Sequence, residues 1–143
     1  MKTCGKGQLL VLGCFSVLLL LSGCGGAETD CGSVDIRNSV IKIFANDANN
    51  ALVNFAVKNS SAVAAMVGDT KSEAEKVAIL EKARRDAVYA IYDTTSMKSR
   101  AGVTCIGELD VTVSDTTAQK EVEFWIEKTT DGRMLVTVSP FLF

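Results

Sequence analysis

Apolar residues between positions 34 and 58 recur every three or four residues, with mostly polar residues between them. This period is typical of a helix with one buried face. It predicts an amphipathic helix over residues 34–58, with Ser33 or Asp35 as the N-cap, a break at residues 59–61, and a short further turn over residues 62–67. The apolar positions are Ile36, Val40, Ile43, Phe44, Ala48, Ala51, Leu52, Phe55 and Ala56.

A second helical pattern covers residues 71–92. Thr70 precedes it and Glu73 follows three positions later. This is the arrangement of a capping box, in which the Thr70 side chain caps the helix and Glu73 reaches back to the Thr70 amide. We therefore predict a helix that begins directly after Thr70. Its expected core-facing residues are Ala74, Val77, Leu80, Ala87, Val88 and Ile91.

From residue 101 the period of the pattern changes to two, which is typical of a strand with one buried face. We predict one strand over residues 101–113 and a second over residues 119–129. Gly107 inside the first strand favours a bulge or bend there. The positions expected to face the core are Val103, Cys105, Leu109, Val111, Val113, Val122, Phe124 and Ile126.

The turn around Asp131 and Gly132 decides the register of a third strand. A three-residue loop over 130–132, with Gly132 left-handed, places Met134, Val136 and Val138 on the apolar face of the second strand. A two-residue loop would place them on the opposite face. The first keeps one face apolar, so we prefer it. We predict an α+β fold: two N-terminal helices packed on one face of a three-stranded antiparallel meander, in the order α-α-β-β-β.

The N-terminal region has a different pattern. Lys2 and Lys6 precede an uncharged, mostly aliphatic run over residues 9–21. This run has the length of a signal-peptide core, whereas a membrane-spanning helix needs about 20 residues. It ends in Leu21-Ser22-Gly23-Cys24: an aliphatic residue, two small residues and a cysteine. The segment resembles the signal peptide and lipobox of bacterial lipoprotein precursors.

The resemblance implies cleavage between Gly23 and Cys24, and attachment of diacylglycerol and a further acyl chain such as palmitate to Cys24. Two or more acyl chains give stable membrane anchoring. Gly25 stands where an Asp favours inner-membrane retention in Gram-negative family members, so the outer membrane, facing the periplasm, is expected rather than the inner membrane. The predicted organisation is a signal peptide (1–23), a lipidated tether (24–30) and a single α+β domain (31–143).

Three of the five cysteines lie at or after the predicted cleavage position. With Cys24 acylated, Cys31 and Cys105 remain as a pair in a compartment that permits disulfides. We predict a Cys31–Cys105 disulfide, and the alternative is two separate buried thiols. The chain-entropy model gives about 4 kcal/mol of stabilisation for closing a loop of this length.

Composition argues against several classes of function. Residues 1–23 hold two of the 15 Lys and Arg and none of the 17 Asp and Glu, so the remaining chain has a net charge near −4. Nucleic-acid binding depends on basic clusters. The chain has no histidine, the commonest general base and metal ligand, and no phosphate loop, CxxC pair or nucleophile elbow. We expect a non-enzymatic protein without cofactor, metal or nucleic acid.

The outward-facing positions of the predicted sheet combine one tryptophan with carboxylates. A simple hairpin would place Asp110 near Glu123 and Glu108 near Trp125. Aromatic residues on an otherwise polar face are typical interface anchors. The simpler interpretation is a solvated face whose tryptophan is covered by Leu135 or by the C-terminal phenylalanines at positions 141 and 143. The candidate interaction face consists of Trp125, Glu108, Asp110, Glu121, Glu123 and Glu127.

These features lead to three functional hypotheses. The first is a membrane-anchored envelope lipoprotein whose domain binds another envelope protein close to the membrane, in an accessory role in an assembly, secretion or transfer complex. The second is an exclusion, immunity or inhibitor lipoprotein acting against a phage, plasmid, toxin or hydrolase. The third is a small-ligand-binding module, with a cystatin-like or nuclear-transport-factor-like cup. The residues alone do not choose among them, nor do they specify the oligomeric state.

Overall fold

Helices come first and strands second in the computed structural model, which describes residues 30–98, 100 and 102–139. The predicted signal peptide, the cleavage position and the lipidation of Cys24 lie outside these residues. The α+β class is confirmed, but the described part of the chain forms four helices and four strands rather than two and three. The elements are α1 (Val34–Asn46), α2 (Ala51–Asn59), α3 (Ser61–Gly68), α4 (Glu73–Arg85), β1 (Val88–Lys98), β2 (Val103–Val113), β3 (Thr116–Lys128) and β4 (Met134–Val138).

The prediction of one helix over residues 34–58 is wrong, because the buried side chain of Asn50 divides it into α1 and α2. The Asn50 amide donates a hydrogen bond to the carbonyl of Phe44 at 3.0 Å, and its oxygen accepts from the backbone N–H groups of Leu52 and Val53. One side chain thus ends α1 and caps α2. Asparagine forms such local bonds readily, in competition with a continuous helix. The predicted Ser33 cap is confirmed by its bond to the Ile36 amide.

The predicted helix over residues 71–92 is wrong at both ends. Ser72, not Thr70, is the N-cap of α4 and accepts a hydrogen bond from the Glu75 amide, while Thr70 donates to the Glu75 carboxylate. The helix ends at Arg85, and β1 begins at Val88. The residues of β1 are largely β-branched or aromatic, which favours a strand. Their apolar positions fitted a helical period as well, so the sequence pattern did not separate the two.

The four strands form an antiparallel meander in the order β1-β2-β3-β4. β2 and β3 are joined by the two-residue turn Ser114-Asp115, with Val113 opposite Thr116 and a positive φ of 51° at Ser114. This turn is tighter than expected, so the predicted register of the hairpin is wrong. Because β3 begins at Thr116 rather than at residue 119, every residue of β3 has a different partner from the one predicted.

Asp115, in that turn, attaches the hairpin to the helices. Its carboxylate accepts hydrogen bonds from the hydroxyls of Ser60 and Ser61 and from the amide of Ala62, at the junction of α2 and α3. The Ser60 bond, followed by the Ser61 bond, lowers the pKa of the Asp115 carboxyl to about 2. The ionised carboxylate therefore holds the end of the β2–β3 hairpin against the helical layer.

The predicted three-residue loop between the last two strands is confirmed. Thr129 donates its N–H to the carbonyl of Arg133 at 2.8 Å, and Gly132 has a φ of 85°. Val136 consequently lies opposite Ile126 on the apolar face. This loop was preferred because it keeps the apolar side chains of the last two strands on one face, and the observed register confirms that arrangement.

Gly107 marks an irregularity, as predicted, but the bulge is in the neighbouring strand. β1 is interrupted between Tyr92 and Thr95, and Asp93 has a positive φ of 48°. A Cβ atom on Gly107 would lie 3.0 Å from a methyl carbon of Thr94 and 3.2 Å from the Tyr92 carbonyl oxygen. A larger residue at position 107 would therefore crowd the bulge of β1 where β2 passes it.

The helices cover one face of the sheet, and the core lies between them. The side chains of Val40, Leu109 and Phe124 are completely buried there. The predicted Cys31–Cys105 disulfide is confirmed, with a Cα–Cα distance of 5.8 Å. It connects the segment before α1 to β2, one of the two central strands, and closes a loop over a sequence separation of 74.

Candidate interaction face

The six candidate residues lie on one face of the sheet, opposite the helices. In β2 the odd-numbered residues are buried against the helical layer, and in β3 the buried residues are even-numbered. The remaining side chains point to the other side, which we call the outer face. Alternation along a strand fixes this assignment without reference to register. The six residues therefore share one side of the sheet, as the alternation predicts, although their cross-strand partners differ from those predicted.

Two glutamates face each other at the centre of the outer face. Glu108 lies directly opposite Glu121, rather than near Trp125, and Asp110 lies opposite Gln119, rather than near Glu123. The Gln119 amide donates a hydrogen bond to the Asp110 carboxylate at 3.2 Å. Like charges in directly opposed positions destabilise a sheet by up to about 1 kcal/mol. The Glu108–Glu121 pair thus makes the protein alone less stable than a neutral pair would.

The charge of the outer face has one sign. Glu123 and Glu127 add two exposed carboxylates to those of Glu108 and Glu121, which are exposed, and of Asp110, which is partly buried. Among the outward-facing strand residues that the structure describes, none is lysine or arginine. Five carboxylates without a basic neighbour on the same face create a negative potential that attracts cationic groups.

Trp125 lies beside this acidic region and is partly accessible. Its cross-strand neighbours are Thr104 on β2 and Thr137 on β4. Leu135, one of the residues considered as a cover for the indole, lies opposite Glu127 and is itself 49% exposed. The two C-terminal phenylalanines lie outside the described residues. The indole is therefore half-buried between small polar neighbours, with accessible area on the outer face.

β1 also contributes to the outer face, which the sequence pattern did not predict. Tyr92 lies opposite Glu108 and is 52% exposed, and Met97 lies opposite Thr104 and is 60% exposed. The acidic pair therefore has an aromatic ring on one side, and the tryptophan row ends in a methionine. The available signal was the alternation of Tyr89, Ile91 and their neighbours, which also fits a strand with one buried side.

Two hollows lie elsewhere on the domain. One, of about 330 Å³, lies between α3, α4 and the β2–β3 turn and is lined by Met66, Ile79 and Ala83, with Lys82 and Asp86 also contributing. The other, of about 290 Å³, lies between α1 and β4. The space between the helices and the middle of the sheet is filled by core side chains such as Phe124. Both hollows lie at the periphery of the domain, away from the middle of the sheet.

Comparison of the chain with family models, with curated proteins and with solved structures gave no match. Within residues 30–98 and 102–139, no helix is long and apolar enough to cross a membrane. The same residues contain no group of three or more His, Cys, Asp or Glu side chains placed to hold a metal ion. The charge and the exposed aromatic residues of the outer face are therefore the features that bear on function.

Proposed function

We propose that the protein is a non-enzymatic envelope lipoprotein whose outer face binds another envelope protein close to the membrane. One observation carries the proposal: a sheet face without helices holds five carboxylates and, among its described strand residues, no lysine or arginine, with a partly accessible tryptophan beside the carboxylates. Such a face is complementary to a protein surface with arginine or lysine side chains and an apolar recess for the indole. Aromatic anchors surrounded by polar groups are typical of binding hot spots.

The opposed glutamates support this interpretation energetically. Glu108 and Glu121 repel each other in the free protein, and a cationic side chain placed between them would convert the repulsion into attraction. An arginine is well suited to this position, because its planar guanidinium donates to two carboxylates in a fixed geometry. Binding would therefore relieve an unfavourable interaction as well as form new contacts.

The tether limits where the partner is found. From Cys24 to Cys31 the chain spans at most about 25 Å at full extension. With Cys24 lipidated, the domain works next to its own membrane and does not reach across a periplasm. The partner is accordingly a membrane protein, or a component of a complex assembled at that membrane, in keeping with an accessory role in assembly, secretion or transfer.

The same surface also suits the second hypothesis. An exclusion, immunity or inhibitor lipoprotein would use its acidic face against a basic toxin or hydrolase. The chemistry of recognition is shared, so the identity of the partner separates the two roles. A constitutive component of the envelope supports the accessory role, whereas a protein captured only during phage, plasmid or toxin challenge supports exclusion.

The test is crosslinking in intact cells, followed by affinity purification of the lipidated protein and mass spectrometry. Wild type is compared with Trp125→Ala and with Glu121→Gln, and the control is Glu81→Gln, which removes an exposed carboxylate from α4 instead. We expect one dominant partner, lost in both outer-face variants and retained in the control. A partner retained by Trp125→Ala and Glu121→Gln excludes the outer face, and no partner, with or without challenge, excludes the proposed role.

A further inference from the structure

The free edge of the sheet at β4 presents unpaired backbone groups. Thr129 donates to the Arg133 carbonyl, and Ser139 donates to the Glu123 carbonyl at 2.9 Å. Hydrogen-bonded positions alternate along an antiparallel pair, so the odd-numbered residues of β4 bond to β3. The N–H and C=O groups of the even-numbered residues point away from the sheet, where the described residues supply no partner. These residues are Met134, Val136 and Val138.

A hollow runs beside this edge, between β4 and α1. Its apolar lining consists of Ile43, Met134 and Val136, and its polar lining includes Lys42. Ile43 is 40% exposed, although it lies next to the core-facing side of α1. Within the described part of the chain, Lys42 makes no ion pair or hydrogen bond. The edge therefore combines backbone donors and acceptors with an apolar recess and one uncompensated positive charge.

The opposite edge of the sheet is built differently. β1 carries a bulge between Tyr92 and Thr95, and such an interruption prevents a further strand from pairing in register. β4 is short, but it has no bulge, proline or charged residue. Pairing along β4 is thus uninterrupted over its whole length, whereas pairing along β1 is broken at the bulge.

We infer that β4 and α1 form a second binding site, which takes an extended peptide segment of another protein as a fifth strand of the sheet. The main chain of the segment would pair with Met134, Val136 and Val138. Its alternate side chains would be apolar and enter the hollow against Ile43, and an acidic residue would face Lys42. Strand addition of this kind obtains affinity from the main chain and specificity from the pockets for alternate side chains.

Neighbouring segments of this chain are poor candidates for the same position. Residues 25–29 carry no large apolar side chain. Residues 140–143 include no acidic residue that could face Lys42. In a second copy paired edge to edge, β4 would likewise offer no acidic residue to Lys42. These considerations favour a segment of a different protein.

The probe is a phage-displayed library of random twelve-residue peptides, selected on the full lipidated protein in detergent. We expect enriched peptides with apolar residues at alternate positions and an acidic residue. Val136→Pro removes an N–H that points away from the sheet and no donor used between β3 and β4, so it should weaken binding of the best peptide by about tenfold or more. The control Val136→Thr keeps that N–H and the branched shape, and should bind within about threefold of wild type.

Additional measurements keep the inference testable if Val136→Pro does not fold. Lys42→Glu should weaken the binding of the acidic peptides. Bound peptide should slow hydrogen exchange of the backbone amides of Val136 and Val138. Enrichment of peptides without alternation, or no enrichment, contradicts the inference. So does exchange protection already present in the free protein, which indicates a segment of this chain, and so does a dimer that Val136→Pro dissociates. Trp125→Ala should leave peptide binding unchanged. The test of the β4 site is therefore independent of the test of partner binding at the outer face.

Discussion

The two faces of the same strands differ in what fixes their residues. On the inner face, Phe124 and Leu109 are completely buried and packed against the helices. On the outer face, Glu108 and Glu121 lie opposite each other at a cost in stability, and Trp125 is partly exposed. The inner face is thus determined by packing, whereas packing does not explain the outer one. Charge and aromatic character that folding does not require are the features from which we infer binding.

The largest expected difference in stability is between substitutions of two neighbouring residues on β3. Phe124→Ala should lower the free energy of unfolding by about 3–5 kcal/mol, because it leaves a cavity in a close-packed core. Trp125→Ala, one position along and on the outer face, should lower it by no more than about 1.5 kcal/mol. Urea unfolding of both variants measures the difference, and equal effects would show that the outer face is part of a packed structure.

The disulfide connects the segment before α1 to β2. Its removal should cause the second-largest loss in the free energy of unfolding. The double variant Cys31→Ser with Cys105→Ser should lose up to about 4 kcal/mol, mainly because the unfolded chain gains freedom. Reduction of the wild type with dithiothreitol, followed by urea unfolding, should give a similar loss. A loss below about 1 kcal/mol in both experiments would mean that the bridge contributes little to folding.

On the outer face, a charge reversal should stabilise the protein while it weakens binding. Glu121→Lys replaces repulsion of Glu108 by attraction, which should raise the free energy of unfolding by about 0.5–1 kcal/mol at low salt. The gain should shrink at high salt, because exposed charges are screened. Glu81→Lys on α4 is the control for net charge. A gain that survives high salt, or that the control reproduces, would exclude the cross-strand explanation.

The smallest expected change in stability concerns Asp115, the residue that attaches the β2–β3 hairpin to the helices. The folded-state pKa of this carboxyl is about 2, below its ordinary value of 3.8, since Ser60 and Ser61 donate to the ionised form. A lowered pKa contributes stability above the unfolded-state value, and this stability is lost as the pH falls from about 4 towards 2. Asp115→Asn should be less stable than wild type at pH 7 and approach it at pH 2. The measurement is urea unfolding of both proteins between pH 7 and pH 2. A stability difference that does not change with pH would contradict the prediction.

How much was predictable from the sequence depended on whether local signals agreed. In β2 and β3 a clean alternation left one interpretation, and it placed all six outer-face residues correctly. The loop over residues 130–132 contains a glycine at the left-handed position, so its register was predictable as well. Ser114 adopts a positive φ without being glycine, and the tight turn it belongs to carries no comparable signal. The register of the outer face was missed for that reason.

The helical region was less predictable because single side chains override the period there. Nothing in the spacing of apolar residues indicates that Asn50 will bond to both flanking helices. In β1, Val88 and Ile91 fit the helical period as well as the strand period, so the predicted helix extends to residue 92 and includes Tyr92. Met97 lies in no predicted element, so neither residue is in the predicted candidate face.

The disulfide also determines how the domain would transmit force. A pull applied to the chain before Cys31 enters the sheet at Cys105, because the covalent bridge bypasses residues 32–104. From there the load would cross the backbone ladder from β2 to β3, and it would leave at Trp125 if the proposed partner is bound there. All four helices and β1 lie outside this line of tension. A domain anchored at one end and bound at the other would act as a short, stiff link whose helical layer bears no load.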